Sequence, residues 1–332
     1  GLGGELMWTI FAKDYYDHYQ TKPYLCKLPK ISDLLVGRVY DCNFSYNNSV
    51  IFYENQHFET NKLKKKKKII FLIDLIFEQI KNKFFNKIYQ DFLLKHSRKK
   101  NKNIIYTNYY KNSYLFDYYF INNKKSLIWS INFSFPEYLC KNYSVKYKYE
   151  LPEINYNNDE IKNFNLKINK YELKKYIVIN TDSKQSHFQK IRSWPEKNWV
   201  NLINAIKTKY PNVNIVELNI NKSIGGSSVI HFDKSLTFRE CGLLIKSSEL
   251  FIGTDGGLTH LSAAVRKKAI VIWGSLINEQ IIGYPDFHII VKNITECYNY
   301  GHLGWCHKCL ENIKNIKYED IFNLTKKYLN EF

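Results

Sequence analysis

An aspartate, two glycines and a histidine are grouped where an apolar strand is expected to turn into a helix. The apolar run 250–252 leads into Thr254-Asp255-Gly256-Gly257, and apolar residues then recur at helical spacing at positions 258, 261 and 265. A helix that begins near Gly257 leaves its first amides unbonded and carries a partial positive charge at that end. The junction therefore predicts an anion site, and the glycines would let a diphosphate approach the main chain.

Asp255 and His260 each have a structural interpretation beside the functional one. Asp255 is placed to cap the following helix, a role worth roughly 1 kcal/mol. Alternatively, its carboxylate accepts hydrogen bonds from main-chain amides or from the hydroxyl groups of a bound sugar. His260 lies one turn into the helix, with its side chain directed back toward the N-terminus. It is expected either to pack in the core or to donate to a phosphate oxygen, and the neighbouring Asp255 and glycine pair favour ligand contact.

A basic element, residues 190–199, follows the strand predicted at 176–180. Ligands of open α/β sheets bind at the carboxyl ends of the strands, and a guanidinium–phosphate pair is worth about 1.5–3 kcal/mol. Lys190 and Arg192 are therefore candidates for contact with an anion. Trp194 and Trp199 are interpreted as packing residues that set this loop rather than as a platform for base stacking.

Three segments together resemble one known family. Residues 255–264, followed by the apolar strand 269–273 and Gly274-Ser275, resemble the donor-site signature of glycosyltransferase family 9, the heptosyltransferase-like group. Residues 190–199 resemble its basic-x-Trp-Pro-x-x-x-Trp element, which selects Arg192 over Lys190. The segment Gly1-Leu-Gly3-Gly4-Glu5 resembles its N-terminal glycine loop. The resemblance implies a GT-B fold, that is, two Rossmann-like doubly wound α/β domains facing a cleft.

The resemblance also implies an activity and a set of site residues. It implies transfer of a sugar from a nucleotide-diphospho-sugar to a glycan or glycolipid acceptor of the lipopolysaccharide or surface-polysaccharide type, without a metal cofactor. The alternatives are another GT-B enzyme such as an epimerase, a catalytically weakened binder of sugar nucleotides, and a basic nucleic-acid-binding protein, which the Asp-Gly-Gly-x-x-His turn disfavours. The implied donor-binding residues are Arg192, Thr254, Asp255, Gly256, Gly257 and His260.

The glycine loop departs from the family pattern at the expected catalytic base. The family carries an Asp directly after the last glycine of this loop, whereas this chain has Gly4 there and Glu5 is the nearest carboxylate. Glu5 is therefore the candidate for deprotonating the acceptor hydroxyl. The sequence opens on Gly1, with no Met or apolar strand before the loop, which is interpreted as a trimmed N-terminus or an absent first strand.

The chain is strongly basic, with 49 Lys and Arg against 31 Asp and Glu and a formal net charge of +18. Lys, Asn, Ile, Tyr and Phe are abundant together, so part of this charge is attributed to an AT-rich coding sequence. The remainder favours polyanions: nucleotide diphosphates, anionic lipid headgroups or nucleic acid. The five lysines at 64–68 are interpreted as a solvated loop or as a contact with an anionic membrane surface.

Seven cysteines, an odd number without a paired spacing through most of the chain, indicate reduced thiols in a cytosolic setting. Cys297, Cys306 and Cys309, with His302 and His307, leave a zinc site as the alternative to structural thiols. The apolar runs are far shorter than the roughly 20 residues of a membrane-spanning helix. The predicted location is cytoplasmic, with peripheral contact at the inner face of the membrane as an option.

The length of 332 residues suggests two domains. Residues 1–140 are predicted to form an N-terminal, acceptor-side domain, with a helix at 6–19 and strands near 104–106 and 127–131. The polar segment 141–175 is predicted to connect it to a C-terminal, donor-binding domain at 176–332. There, strands at 176–180, 213–218, from 250 and from 269 alternate with helices at 199–209, 238–246 and from 258, which predicts a doubly wound parallel sheet.

Overall fold

The computed structural model describes residues 2–20, 134–181, 192–219, 222–232, 235–274, 277–293 and 307–329, and the backbone of five short strands between residues 24 and 129. In chain order the helices are α1 (Leu2–Tyr19), α2 (Phe135–Asn142), α3 (Asn158–Ile168), α4 (Glu196–Lys209), α5 (Phe238–Ser247), α6 (Gly257–Ala264), α7 (Glu279–Ile282), α8 (His307–Lys314) and α9 (Tyr318–Leu329). The strands are β1 (Tyr24–Leu25), β2 (Glu59–Thr60), β3 (Ile104–Ile105), β4 (Phe116–Ile121), β5 (Lys124–Trp129), β6 (Tyr176–Asn180), β7 (Asn214–Leu218), β8 (Ile230–Phe232), β9 (Leu250–Thr254), β10 (Ala269–Ile272) and β11 (Ile289–Val291).

Six parallel strands form the main sheet in the order β8-β7-β6-β9-β10-β11. The chain moves outward from β6 in one direction and then outward from β9 in the other, which is the doubly wound Rossmann order. The reversal places the topological switch point between β6 and β9, which is the position at which open α/β sheets form a ligand-binding crevice. The predicted doubly wound parallel sheet is confirmed, with all four predicted strands in it.

Alternate residues along the strands enter two cores on opposite faces of this sheet. On β6, Tyr176 and Val178 belong to the core covered by α1, α2, α5 and α6, whereas Ile177 and Ile179 belong to the core covered by α4 and α9. Because both faces are covered, β6, β9 and β10 are buried along their whole length. Helices thus cover both faces of the sheet beneath the switch point.

Helix α1 begins earlier than predicted, inside the segment assigned to the glycine loop. The helix starts at Leu2, so Gly3, Gly4 and Glu5 are helical and the loop prediction is wrong for these residues, while Gly1 lies outside the described residues. The physical reason is tertiary: the helix packs against α6 and α2, and Leu6 and Phe11 are fully buried. Burial of such side chains is worth about 1.5–3 kcal/mol each, which exceeds the cost of about 1 kcal/mol for a helical glycine.

The described N-terminal strands form two small sheets. Strands β1, β2 and β3 pair in parallel in the order β2-β1-β3, and β4 and β5 form an antiparallel hairpin. The strands predicted near 104–106 and 127–131 are thereby confirmed, and the lysines at 64–68 lie outside the described residues. The predicted connection 141–175 contains α3, which packs against α5. The division into domains at 140 and 175 stays a prediction.

Candidate functional site

The switch point brings together the two segments that the sequence predicted to bind a donor. Arg192 follows β6 and Asp255 follows β9, and Arg192 Nε lies 3.0 Å from Asp255 Oδ2. This contact is a close ion pair without the alignment of a hydrogen bond. The Arg192 side chain keeps 23% of its surface exposed, against 2% for that of Asp255. Part of the Arg192 side chain therefore remains exposed while its Nε is held beside the carboxylate.

Asp255 is a buried carboxyl whose second oxygen is free. Oδ1 is buried and has no hydrogen-bond partner among the described residues. Burial raises the pKa of the Asp255 carboxyl to about 6, with the Arg192 charge opposing that rise. The N-cap of α6 is Gly256, and no side chain caps the helix. The capping interpretation of Asp255 is therefore wrong, and the carboxylate has an acceptor to offer to a ligand.

The start of α6 leaves main-chain amides at the same place. Gly256 is extended, with φ 173°, and the Thr259 hydroxyl donates to the carbonyl of the buried Thr254 at 2.8 Å. Within the described structure, the first amides of the helix that find an acceptor are those of Thr259 and His260, both bonded to the Gly256 carbonyl. The Gly257 amide precedes them and is available to an anion.

His260 is a buried residue on the first turn of α6, and one of its ring nitrogens has a hydrogen-bond partner. Its Nδ1 lies 2.8 Å from the hydroxyl of Tyr284, whereas Nε2 makes no hydrogen bond with a described residue. Burial lowers the pKa of the His260 imidazole to about 3, with smaller contributions from Arg192 and His288. The ring is therefore neutral at physiological pH, with one ring nitrogen protonated and the other able to accept a hydrogen bond.

Gly3 of α1 contacts this site directly. A Cβ atom at Gly3 would lie 2.4 Å from His260 Cδ2 and 3.2 Å from the Gly257 Cα. Residues more than 250 positions apart in the sequence thus meet at the start of α6. The side chain of Glu5 and the placement of Gly4 relative to solvent are outside what the structure describes, so the catalytic assignment of Glu5 stays a prediction.

Sequence reasoning missed Glu217, which organises the neighbouring loops. Its side chain is fully buried on β7 and accepts hydrogen bonds from the Thr181 hydroxyl at 2.7 Å and the Ser223 hydroxyl at 2.8 Å. It also accepts from the main-chain amides of Ile224 and Gly225. One carboxylate therefore ties the loop after β6 to the loop after β7. The available signal was an acidic residue inside the apolar run 215–218.

The remaining predictions have mixed outcomes. Trp194 and Trp199 are buried and contact each other edge to face with ring centroids 4.9 Å apart. Trp194 Nε1 donates to the Ile316 carbonyl at 2.8 Å, so the packing interpretation is confirmed.

Lys190, Cys297 and Cys306 lie outside the described residues. Among the residues that are described, no group of three His, Cys, Asp or Glu side chains is arranged to hold a metal ion. None of the described helices is both long enough and apolar enough to cross a membrane.

The family model of glycosyltransferase family 9 (heptosyltransferase) matches residues 137–303, which is half of the 332-residue chain. The chain belongs to this family, which confirms the resemblance inferred from its motifs. The matched range includes the Arg192 and Asp255–His260 segments. The GT-B fold is the fold implied by this membership, and the structure describes one Rossmann-ordered sheet of it in full.

Several solved structures are similar to this chain. The E. coli ADP-heptose lipopolysaccharide heptosyltransferase II has 13% identity and a TM-score of 0.41, over 54% of each chain. A family 9 glycosyl transferase from Veillonella parvula has 11% identity and a TM-score of 0.48, over 62% of each chain. The iron-containing dodecameric heptosyltransferase TibC of enterotoxigenic E. coli, solved in complex with ADP-D-beta-D-heptose, has 19% identity and a TM-score of 0.37, over 47% of this chain and 46% of that one. The similarity thus spans about half to three fifths of the length of these proteins. Comparison with curated protein sequences gives no match.

Proposed function

We propose that this chain is a glycosyltransferase that moves a sugar from a nucleotide-diphospho-sugar to a glycan or glycolipid acceptor of the lipopolysaccharide or surface-polysaccharide type. The observation that carries the proposal is the Arg192–Asp255 pair beside the open start of α6, at the switch point of a Rossmann-ordered sheet. This is the crevice in which open α/β sheets bind their ligands. Family membership supplies the reaction class, and the site geometry supplies groups suited to its donor.

Each group at the crevice has a part in donor binding. The diphosphate would lie against the Gly257 amide and the exposed part of Arg192, because both are positive and have donors to offer there. The free Oδ1 of Asp255 would accept a hydrogen bond from a hydroxyl of the donor sugar. Gly256 would allow the diphosphate to approach the main chain, Thr254 fixes the turn through its carbonyl, and His260 would donate to a phosphate oxygen.

In the transfer step, the acceptor oxygen forms a bond to the anomeric carbon of the sugar while the bond from that carbon to the diphosphate oxygen breaks. A carboxylate takes the acceptor proton, and Glu5 on α1 is the candidate. The negative charge that develops on the departing nucleotide diphosphate is stabilised by Arg192 and by the start of α6.

The step as proposed uses no metal ion, whereas the similar protein TibC is an iron-containing heptosyltransferase. Elemental analysis of the purified chain, and activity in the presence of a chelator, test this part.

The proposed setting is cytoplasmic, with peripheral contact at the inner face of the membrane where a glycolipid acceptor would be presented. The formal net charge of +18 supports this contact, since each basic residue near an anionic surface contributes about 1 kcal/mol. Co-sedimentation with vesicles with and without anionic lipid tests it. Binding that does not depend on anionic lipid would contradict the electrostatic contact.

A thermal-shift panel of ADP-, GDP-, UDP- and CMP-sugars tests the proposed function. A ligand at 100 times its dissociation constant stabilises the fold by about 2.7 kcal/mol, so one nucleotide class should raise the melting temperature clearly. Arg192→Ala should then weaken binding of the intact donor far more than binding of the free nucleoside, as measured by calorimetry. Absence of stabilisation by every member of the panel would refute the donor site, and equal losses for donor and nucleoside would assign Arg192 to another role.

A second candidate function, a sugar-nucleotide binder with weakened catalysis, is favoured by Gly4 at the position of the family's Asp. If Glu5 is the base, Glu5→Gln should preserve donor affinity and lower turnover by roughly 10²–10⁴-fold. If the base has been lost, Glu5→Gln should have no effect and Gly4→Asp should raise transfer. Neighbouring positions on a helix differ by about 100° in direction, which is why the two variants give separate answers.

A further inference from the structure

Tyr284 is a buried residue beside the candidate site that neither the motifs nor the family pattern used above singles out. It retains 5% of its surface, and its hydroxyl lies 2.8 Å from His260 Nδ1. The two rings meet edge to face, with centroids 5.5 Å apart and an interplanar angle of 90°. A side chain held this closely fixes both the position and the orientation of the imidazole.

The hydrogen bond also decides which imidazole nitrogen carries the proton. A neutral imidazole has one N–H, and its other nitrogen is an acceptor. Nε2 makes no hydrogen bond with a described residue and lies beside Gly3, where the absence of a side chain leaves it uncovered by a Cβ atom that would come 3.2 Å from it. For Nε2 to donate to a phosphate, Nδ1 must accept, and the Tyr284 hydroxyl is the donor that faces it.

The second buried histidine of this region does not compete for Tyr284. His288 Nδ1 accepts from the Ala269 amide at 3.2 Å, so its proton is on Nε2. That nitrogen faces the Thr259 carbonyl at 3.3 Å and the Ser262 hydroxyl at 3.2 Å. His288 is therefore satisfied by its own partners, and its ring only contacts the Tyr284 ring edge to face.

We propose that Tyr284 is a positioning residue for donor binding, whose hydroxyl donates to His260 Nδ1 and thereby presents the Nε2–H of His260 to the diphosphate. The inference rests on the proposed function for the identity of the ligand. The tautomer of His260 is a property of the unliganded protein, so it is decided independently of any donor.

Nitrogen-15 NMR of the full chain labelled at histidine reads this tautomer directly, with His260→Gln to assign the signals. We expect His260 in the natural chain to be protonated at Nε2, and Tyr284→Phe to shift the population toward the Nδ1–H form. A natural chain with the proton on Nδ1 would overturn the proposal, because Tyr284 would then accept rather than donate.

Calorimetric titration with ADP and with adenosine measures the effect on ligand binding. If the sugar-nucleotide panel selects another base, the nucleoside diphosphate and the nucleoside of that base are used instead. Tyr284→Phe should weaken ADP binding about tenfold and adenosine binding less than twofold, the size expected for one hydrogen bond to phosphate. In the double variant with His260→Gln, Tyr284→Phe should cause no additional loss, because both residues act through one contact. Equal losses for ADP and adenosine would show a merely structural role and overturn the proposal.

Tyr176→Phe is the matched control. Tyr176 is equally buried in the same sheet domain and its hydroxyl donates to the Leu244 carbonyl, also at 2.8 Å. Its removal should cost comparable stability and leave ADP binding unchanged. If the natural chain binds no nucleoside diphosphate at all, the proposed function fails, while the NMR measurement still decides whether Tyr284 sets the tautomer.

Discussion

Gly256 has an extended backbone that any residue can adopt, yet it lies where a diphosphate would approach. Its φ is 173°, and among the described residues a Cβ atom there would meet only the Thr254 carbonyl, at 3.9 Å. The described part of the unliganded fold therefore gives no steric reason for glycine at this position. Under the proposed function, glycine is needed here because a side chain would block the approach of the ligand to the main chain.

Gly256→Ala should accordingly separate folding from donor binding. We expect the midpoint of thermal unfolding to change little, because the added methyl group makes no close contact in the free protein. Binding of the donor selected by the sugar-nucleotide panel should fall at least tenfold, because the methyl group occupies the path to the main chain. Calorimetry and a melting curve on the same sample measure both. A large loss of stability with unchanged binding would show that the glycine serves the fold instead.

At the scale of elements, α3 is tied to α5 by an ion pair between a buried arginine and a partly buried glutamate. Arg239 on α5 is 4% exposed and bonds Glu160 of α3 with two nitrogens, at 2.6 and 2.9 Å. The same guanidinium donates to the Asn155 carbonyl and lies over the Tyr156 ring at 4.9 Å. Glu160 also completes the capping box of α3 with Asn157. The segment before β6 is thus locked onto the helix that precedes β9.

Arg239→Met should destabilise the protein by about 3 kcal/mol, because it leaves the partly buried Glu160 without its partner. Urea unfolding followed by circular dichroism measures the change. The matched control is Lys222→Ala. It removes the ion pair between Lys222 and Glu196, which has a similar distance, but whose side chains are 69% and 56% exposed. That change should cost less than about 1 kcal/mol. Equal effects of the two variants would show that burial does not strengthen the Arg239 tie.

At the scale of the whole molecule, two buried histidines and one buried aspartate link stability to pH in opposite directions. Burial lowers the pKa of His288 to about 4 and that of His260 to about 3. Their contribution to stability is complete above the unfolded pKa of about 6.5 and is lost as the pH falls toward those values. Burial raises the pKa of Asp255 to about 6, so its contribution is complete below about 3.9 and is lost as the pH rises through 6.

His288→Gln isolates one of these contributions. We expect the free energy of unfolding to fall between pH 7 and pH 4.5 in both proteins. The fall in the natural chain should exceed that in the variant by up to roughly 3 kcal/mol. The reason is that the unfolded chain takes up a proton at this histidine over that range, whereas the folded protein resists it, because the proton would end the acceptance of the Ala269 amide and create a buried charge. Urea unfolding at a series of pH values gives both curves. Parallel curves would mean that His288 has an ordinary pKa in the folded protein.

The sequence by itself determined the local pattern of the donor-side sheet and the residues at its crevice. The strand at 176–180 and the strand that begins at 250 were predictable from short apolar runs between polar turns, and the motif from Asp255 to His260 indicated the family. These signals are local, since a helix start and a glycine turn depend on neighbouring residues. The short strands β8 and β11 were not predicted, because three residues carry too little pattern.

Only the tertiary structure decided what the site residues contact. The pairing of Arg192 with Asp255, the contact of the Tyr284 hydroxyl with His260 and the hydrogen bond from Thr181 to Glu217 join residues that belong to different elements and lie at least 24 positions apart in the chain. The same holds for the first turn of α1, where glycines indicated a loop and packing against α6 produced a helix. Local propensity is worth about 1 kcal/mol per glycine, so burial of the apolar side chains of α1 outweighs it, and that burial is known only once the sheet is assembled.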